Sequence, residues 1–354
     1  MEPKKILITG GLWYIGSHTA VLFSQAGYEV VLLDNLSNTH KDEVLSSLKI
    51  LTNKDLPFYE GDVRDYDFLD QLFEKEHFDW VIHFAAKKAV GESCHDPFLY
   101  YDNNINGTIT LLEIMDRHDV RNLIFSSSAT VYDAEKNIPP FTETDRLNTT
   151  NPYGTTKLVM EFLLKDMAQH KNFEVICLRY FNPIGAHHSW LLGENPKGIP
   201  TNLLPFILRV AKKEIEKITV FWDDYPTPDG TCIRDYIHIE DLAQAHLQSF
   251  EYIYHKKEIR ENSEEEIKTP SFEVFNIWTW SWKSVKEMLS IAETVVWEPI
   301  NFEIGERRDW DVASSVANPI KAKQVLWWEP KRTIVEAVED AWNFYNNHNE
   351  ENNK

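Results

Sequence analysis

The sequence predicts an α/β protein: a doubly wound parallel sheet followed by a smaller C-terminal α/β portion. Three observations carry this. Short apolar runs alternate with amphipathic stretches through the first half. A glycine-bearing turn joins the first run to the first amphipathic stretch. From about residue 183 the rhythm gives way to long loops rich in Pro, Asn, Asp and Arg.

The runs KILITG (5–10), EVVLLDN (29–35), PFYEGD (57–62), DWVIHFAA (79–86) and NLIFSSSA (122–129) read as strands. Residues 15–26, 65–76 and 105–118 read as the helices between them. Late helices are expected near 283–295 and 331–347. The charged stretch 256–271 reads as a surface loop. Residues 1–182 are expected to form the nucleotide-binding domain. Residues 183–347 form mainly a substrate-binding portion, with some segments returning to the first domain, and 348–354 read as a frayed tail.

The totals exclude several classes. The formal charge is −20 with no basic block, which argues against nucleic acid. Cys94, Cys177 and Cys232 are odd in number and lack metal-ligand spacing, so neither disulfides nor a metal is expected and a cytoplasmic protein is. No apolar run approaches the ~20 residues of a membrane span, and the chain runs from MEPKK directly into a strand pattern without a signal-peptide core.

The first turn reads ILITGGLWYIGSHTA, residues 6–20. Gly10, position 13 and Gly16 fit the G-x-x-G-x-x-G spacing of a Rossmann-type turn, except that position 13 is Trp13. Such a turn brings backbone close to a pyrophosphate and aims a helix N-terminus at it. Asp34 ends the second run, 18 residues past Gly16. A carboxylate there accepts hydrogen bonds from an adenosine ribose and repels a 2′-phosphate, which favours NAD over NADP. An ordinary strand-to-helix turn with a strand-end aspartate is the plainer interpretation of the same residues.

Further on, SSSATVY (126–132) ends a strand and NPYGTTK (151–157) opens a helix. Tyr153 and Lys157 are four apart and share one helical face. An ammonium beside a phenol is expected to lower its pKa from ~10 toward neutrality, making a general base for a sugar hydroxyl. Ser128 is placed to bond the same oxygen.

With these segments the chain resembles the extended short-chain dehydrogenases/reductases, and within them the UDP-glucose 4-epimerase family. The resemblance covers about residues 4–347 and is most specific in HFAAKKAVGES, YYDNNINGT, LRYFNPIGAH, PKGIPTNLLPF, DDYPTPDGTCIRDYIH and GERR. It implies that Tyr153, Ser128 and Lys157 are catalytic. It implies NAD contacts from Gly10, position 13, Tyr14, Ile15, Gly16, Asp34, Asn35, Asp62, Val63, Phe84, Ala85, Ala86, Lys88, Asn103 and Tyr180, as well as from the catalytic trio. Asn182, Asn202, Leu203, Phe221, Arg234, Arg308 and Asp311 would hold a UDP-sugar, together with Ser128 and Tyr153. Arg234 and Arg308 supply fixed cations suited to a pyrophosphate. Ser315 matches a position that is either bulky or small in the family, and a small residue implies room for N-acetylated sugars. A homodimer is implied by the family alone. The run SAT after the serines, rather than acidic residues, disfavours a dehydratase or decarboxylase.

The departures are all of one kind. Trp13, Trp190, Trp222, Trp278, Trp280, Trp282, Trp297, Trp310 and Trp327 stand where these epimerases carry glycine. Trp328 and Trp342 match usual tryptophans, and Trp80 is undecided. Glycine is 13 of 354 residues, about half of the ~7 % in average usage. Two explanations fit: a gene whose UGA codons encode glycine, or a non-catalytic homologue with a plugged NAD pocket. For NIWTWSWKS alone, a third is one face of a strand.

Overall fold

The computed structural model of the chain describes residues 4–198, 200–262, 271–308 and 311–351. The first six strands are β1 (Lys5–Thr9), β2 (Glu29–Asp34), β3 (Phe58–Glu60), β4 (Trp80–His83), β5 (Asn122–Ser126) and β6 (Glu174–Arg179). Then come β7 (Asn182–Ile184), β8 (Ile218–Phe221), β9 (Ile233–His238) and β10 (Phe272–Asn276). Seven of these form one parallel sheet in the order β10-β6-β5-β4-β1-β2-β3. The order reverses beside β1, so the crevice at the carboxyl ends of β1 and β4 is where a ligand fits such a sheet.

Both faces of the sheet are covered, and successive residues of one strand go to opposite cores. Ile6, Ile8, Ile82, Ile124 and Ile176 pack on one side with Phe23 and Phe250. Leu7, Val31, Val81, Leu123 and Val175 pack on the other with Leu69, Phe73, Leu112 and Leu164. The helices are α1 (Tyr14–Gln25), α2 (Lys41–Thr52), α3 (Tyr66–Glu76), α4 (Val90–His95), α5 (Pro97–Tyr100), α6 (Gly107–Arg117), α7 (Pro152–Lys171), α8 (Leu203–Ala211), α9 (Ile239–Asn262), α10 (Val285–Val296), α11 (Ile320–Leu326) and α12 (Ile334–Glu351). A π-helical turn, Tyr101–Asn106, precedes α6.

The later chain builds a second, smaller core. Leu204, Ile207 and Leu208 of α8, Met288, Leu289 and Ala292 of α10, and Ala337, Val338 and Ala341 of α12 pack together. Strand β9 pairs with β7, with β11 (Trp282–Ser284) and with β13 (Ser314–Ser315), while β8 pairs with β12 (Phe302–Gly305). Ser284 and Glu287 form a reciprocal capping box at the start of α10.

Three expectations need correction. The stretch 256–271 is not a loop from its start: α9 continues to Asn262, and 263–270 lie outside the described residues. The tail stays helical to Glu351 rather than fraying from 348, with 352–354 outside the described residues. Polar composition hid both extensions, because a helix already anchored by a packed face propagates at little further cost. The three tryptophans of NIWTWSWKS do not share a strand face: Trp278 is fully buried, Trp280 has φ +61°, and only Trp282 lies in a strand. Among the described residues no helix is long and apolar enough to cross a membrane.

Candidate active site

The β1–α1 turn depends on close backbone approach. Gly10 has φ +66°, and a Cβ there would stand 2.9 Å from the Ala85 amide nitrogen. A Cβ on Gly16 would overlap the Gly10 carbonyl oxygen. Only glycine permits both. Tyr14 and Ile15 open α1, with the Tyr14 hydroxyl donating to the Gly185 carbonyl at 2.8 Å. At the end of β2, the buried Asp34 carboxylate accepts from the Leu12 amide at 3.1 Å and the Leu36 amide at 2.9 Å. Burial pushes its pKa up and these amides oppose the rise. Past β4, the Phe84 and Ala85 amides donate to the Thr9 carbonyl and hydroxyl at 3.1 and 3.3 Å, and Ala86 follows. A bare-backbone cradle at a helix N-terminus, with a carboxylate at the next strand end, fits a dinucleotide.

Trp13 is the misfit. It precedes α1 at φ −76° and ψ 162°, and its side chain makes no capping hydrogen bond. Lys88 Nζ lies 5.1 Å from its ring centroid. Any residue adopts that φ, so what glycine would contribute at 13 is room. At the rim, Arg64 donates twice to Asp62 at 2.9 Å, and Asn35 donates to the same carboxylate at 3.1 Å. The guanidinium holds the Asp62 pKa at about 2. Val63 is buried in the adjacent core. Asn103 sits in the π turn.

Tyr153 is set by its helix start. Asn151 accepts from the Gly154 amide at 2.8 Å and Pro152 occupies the first turn. A Cβ on Gly154 would stand 2.9 Å from the Thr130 carbonyl, so α7 lies close to the serine run. Ser128 is buried, accepts from Thr130, and stands beside the Tyr153 phenol, whose pKa it lowers. Burial pushes that phenol up and the Ser128 hydroxyl pulls against it. The expected depression toward neutrality is therefore not what this structure shows. Lys157 Nζ donates to the Ser126 carbonyl at 2.6 Å, stands 6.0 Å from the Tyr153 ring centroid, and is itself lowered to about 7 by burial. Tyr180 and Ser126 share a short hydrogen bond behind it.

That lysine predicts a pH signature. Its pKa is about 7 in the fold against 10.5 when unperturbed. Between those values the unfolded chain binds the extra proton, so stability rises with pH; below about 7 both states are protonated and the burial cost is fully present. Thermal unfolding of the wild type and of Lys157→Met, compared from pH 7 to 10, should show the wild type gaining on the variant. Parallel curves would contradict this.

On the facing portion, Arg234 donates to the Ile233 and Val312 carbonyls at 2.8 Å and lies 5.5 Å from the Phe181 ring centroid. Arg308 packs 4.2 Å from the Phe221 ring centroid and donates to Asp311 at 2.7 and 2.6 Å. Asp311 also faces Arg234 at 3.7 Å. The two guanidiniums thus meet on one carboxylate. Ser315, buried, is in register with Arg234. Asn182 donates to the Asp235 carbonyl at 3.2 Å. Asn202 opens α8 and Leu203 packs toward the second core. The Ala129 amide bonds the Tyr180 carbonyl at 3.1 Å, which joins this wall to the serine run.

Residues 6–260 match the model of the NAD-dependent epimerase/dehydratase family. The chain belongs to this family. It is 44 % identical over 338 residues to a UDP-glucose 4-epimerase of Bacillus subtilis, covering 95 % of each chain. A crystal structure of UDP-glucose 4-epimerase from Bifidobacterium longum with NAD⁺ and UDP superposes with a TM-score of 0.90 at 40 % identity, over 98 % of this chain and 99 % of that one. The UDP-Glc/GlcNAc 4-epimerase of Campylobacter jejuni gives 0.79 at 35 %, over 97 % and 99 %.

This family member holds its site with residues the sequence reading missed. Glu194 bonds Lys88 at 2.9 Å and Asn202 at 2.6 Å, tying the loop after β4 to the start of α8. Asn104 links the Lys87 amide, at 2.8 Å, to the Thr156 hydroxyl of α7, at 3.0 Å. Beneath Ser127, Glu161 accepts its hydroxyl at 2.5 Å and pairs with Arg179 at 2.9 and 2.5 Å, all buried. A charge in the otherwise apolar ICLR strand was the available signal. Glu161→Ala would leave Arg179 buried and uncompensated and should cost about 3–5 kcal/mol, read by denaturant unfolding; a neutral result would refute the pairing's importance. Elsewhere His187, His188 and Glu240 bring ligand-type atoms within 4.8 Å of one another, but Arg332 already bonds Glu240 at 2.6 Å.

Proposed function

We infer that this chain is an NAD-dependent epimerase that inverts C4 of a UDP-hexose, interconverting UDP-glucose and UDP-galactose. One placement carries the inference. Tyr153 and Ser128 meet at the carboxyl end of the sheet, with Lys157 on the same helix, in the half of the chain that carries the Gly10–Gly16 cradle. NAD bound there would supply the acceptor and the donor of the hydride at the sugar C4.

The chain's own residues do the rest. Tyr153 takes the proton of the 4-hydroxyl and gives it back, with Ser128 on the same oxygen. Lys157, held by the Ser126 carbonyl, stands 6.0 Å from the centroid of the phenol ring on the same helix. Gly10, Tyr14, Ile15, Gly16, Asp34, Phe84, Ala85, Ala86, Lys88 and Tyr180 line the dinucleotide, with Asn35, Asp62, Val63 and Asn103 at its adenosine and outer ends. Arg234 and Arg308 hold the pyrophosphate, Asn182, Asn202, Leu203 and Phe221 flank it, and Asp311 positions both cations. Inversion requires the sugar to present both faces while its nucleotide stays held, and a grip on the diphosphate alone leaves the ring free to turn.

Purified protein incubated with UDP-glucose should form UDP-galactose without net accumulation of NADH, followed by proton NMR. Absence of product from protein that retains NAD would overturn the assignment. Dehydration is not favoured, since the SAT run lacks acidic residues, and of the site residues only Trp13 suits a non-catalytic homologue with a plugged NAD pocket. The same inference includes a homodimer in the cytoplasm, with the dimer read from light scattering. The buried, small Ser315 beside Arg234 favours acceptance of N-acetylhexosamine forms. Ser315→Tyr should lower the ratio of N-acetylated to plain UDP-hexose turnover by about 10-fold or more; an unchanged ratio would refute it.

A further inference from the structure

Eleven residues other than glycine lie at positive φ among the described residues, and five of them are tryptophans: Trp190 (+63°), Trp222 (+71°), Trp280 (+61°), Trp297 (+60°) and Trp327 (+53°). Tryptophan is only 12 of 354 residues. Most of the other six are of types that tolerate this region, such as Asn53, Asp119, Asn172 and His77. A bulky aromatic is among the least suited. Two of the five, Trp297 and Trp327, are the left-handed residues that close α10 and α11, the position where helices carry glycine.

Exposure separates these five from the tryptophans of the cores, although Trp282 is exposed too without a positive φ. All five are exposed, Trp297 at 90 % and Trp327 at 83 %. Trp80 and Trp328 are buried, Trp328 Nε1 donates to the Asp241 carbonyl at 2.9 Å, and Trp342 packs on the second core. None of these three has positive φ.

We propose that the five positions are glycine in the polypeptide its native cell makes, and that one codon assignment accounts for all of them. A single residue type replacing another at unconnected turns is a property of a codon, not of a fold. UGG means tryptophan in every common table, whereas UGA is tryptophan in some and one base away from the glycine codon GGA. UGA read as glycine supplies the backbone freedom these turns need. It also raises the glycine count from its low 13. The assignment extends to every UGA in the gene, with Trp13, Trp278, Trp282 and Trp310 as further candidates. Of these, Trp310 lies outside the described residues.

Two measurements on native material test this independently of any activity. The gene should read TGA at 190, 222, 280, 297 and 327, and TGG at 80, 328 and 342. Peptides from protein isolated from native cells should show glycine mass at each of the five. TGG at the five positions would overturn the proposal, and so would tryptophan-mass peptides from TGA codons.

Discussion

Tyr153→Phe should lower kcat by roughly 10²- to 10⁴-fold, the range of a general acid–base group. Phenylalanine keeps the ring and removes only the oxygen. The backbone that places it stays unaltered: Asn151 still caps the helix, and the residue-153 amide still donates to Ser93 Oγ at 3.2 Å. NAD retention and thermal stability should therefore stay near wild type, which separates lost chemistry from lost structure. Ser128→Ala should cost less, because it removes a partner of the phenol oxygen and not that oxygen itself. The pH profile carries further information. Burial raises the phenol and Ser128 opposes the rise, so losing Ser128 should raise the phenol further and move the ascending limb of kcat, which reports the base, toward higher pH. A Phe variant with undiminished kcat would remove Tyr153 from the reaction.

Trp297→Gly and Trp327→Gly should each stabilise the protein by about 1 kcal/mol, the cost of a left-handed non-glycine residue less the added freedom of the unfolded chain. Both indoles are almost fully exposed, so little burial is lost in exchange. Alanine at the same sites is the discriminating control. It removes the indole and keeps the Cβ, so it should recover little of the gain. Equal stabilisation by alanine and glycine would show that the ring, not φ, is at fault. Trp190→Gly should gain less, since Nε1 of Trp190 donates to Asp340 at 3.1 Å. Trp13→Gly should follow a different pattern. Its φ is ordinary and its indole is packed on the main core, so glycine there should cost stability rather than add it, while NAD retention rises because the space before α1 opens.

Much of the fold is legible in the sequence. The strands near 5, 29, 80 and 122 announce themselves because a sheet buried on both faces demands uninterrupted apolar runs. Helix α7 was legible in Asn151 and Pro152, and the close β1–α1 turn in Gly10 and Gly16. The tail of α9 was not, because residues 256–262 are charged and their helicity is inherited from the packed turns before them. Glu194, Asn104 and the Glu161–Arg179 pair were equally hidden. Each joins segments distant in sequence, and no local pattern records such a meeting.

Sequence alone determined the class of protein, the order of the first strands, the Tyr153–Lys157 pairing on one helical face, and the anomaly of its tryptophans. These are local quantities, set by periodicity, spacing and residue type. Only the tertiary structure decided what those tryptophans do to the backbone. It separated five at positive φ from Trp13, whose φ is ordinary, and from Trp80, Trp328 and Trp342, which are packed in or against the cores. It also turned Lys157 toward the Ser126 carbonyl and left the Tyr153 phenol raised. Dihedral angles, burial and desolvation depend on what the chain meets after folding, and spacing along the chain carries none of them.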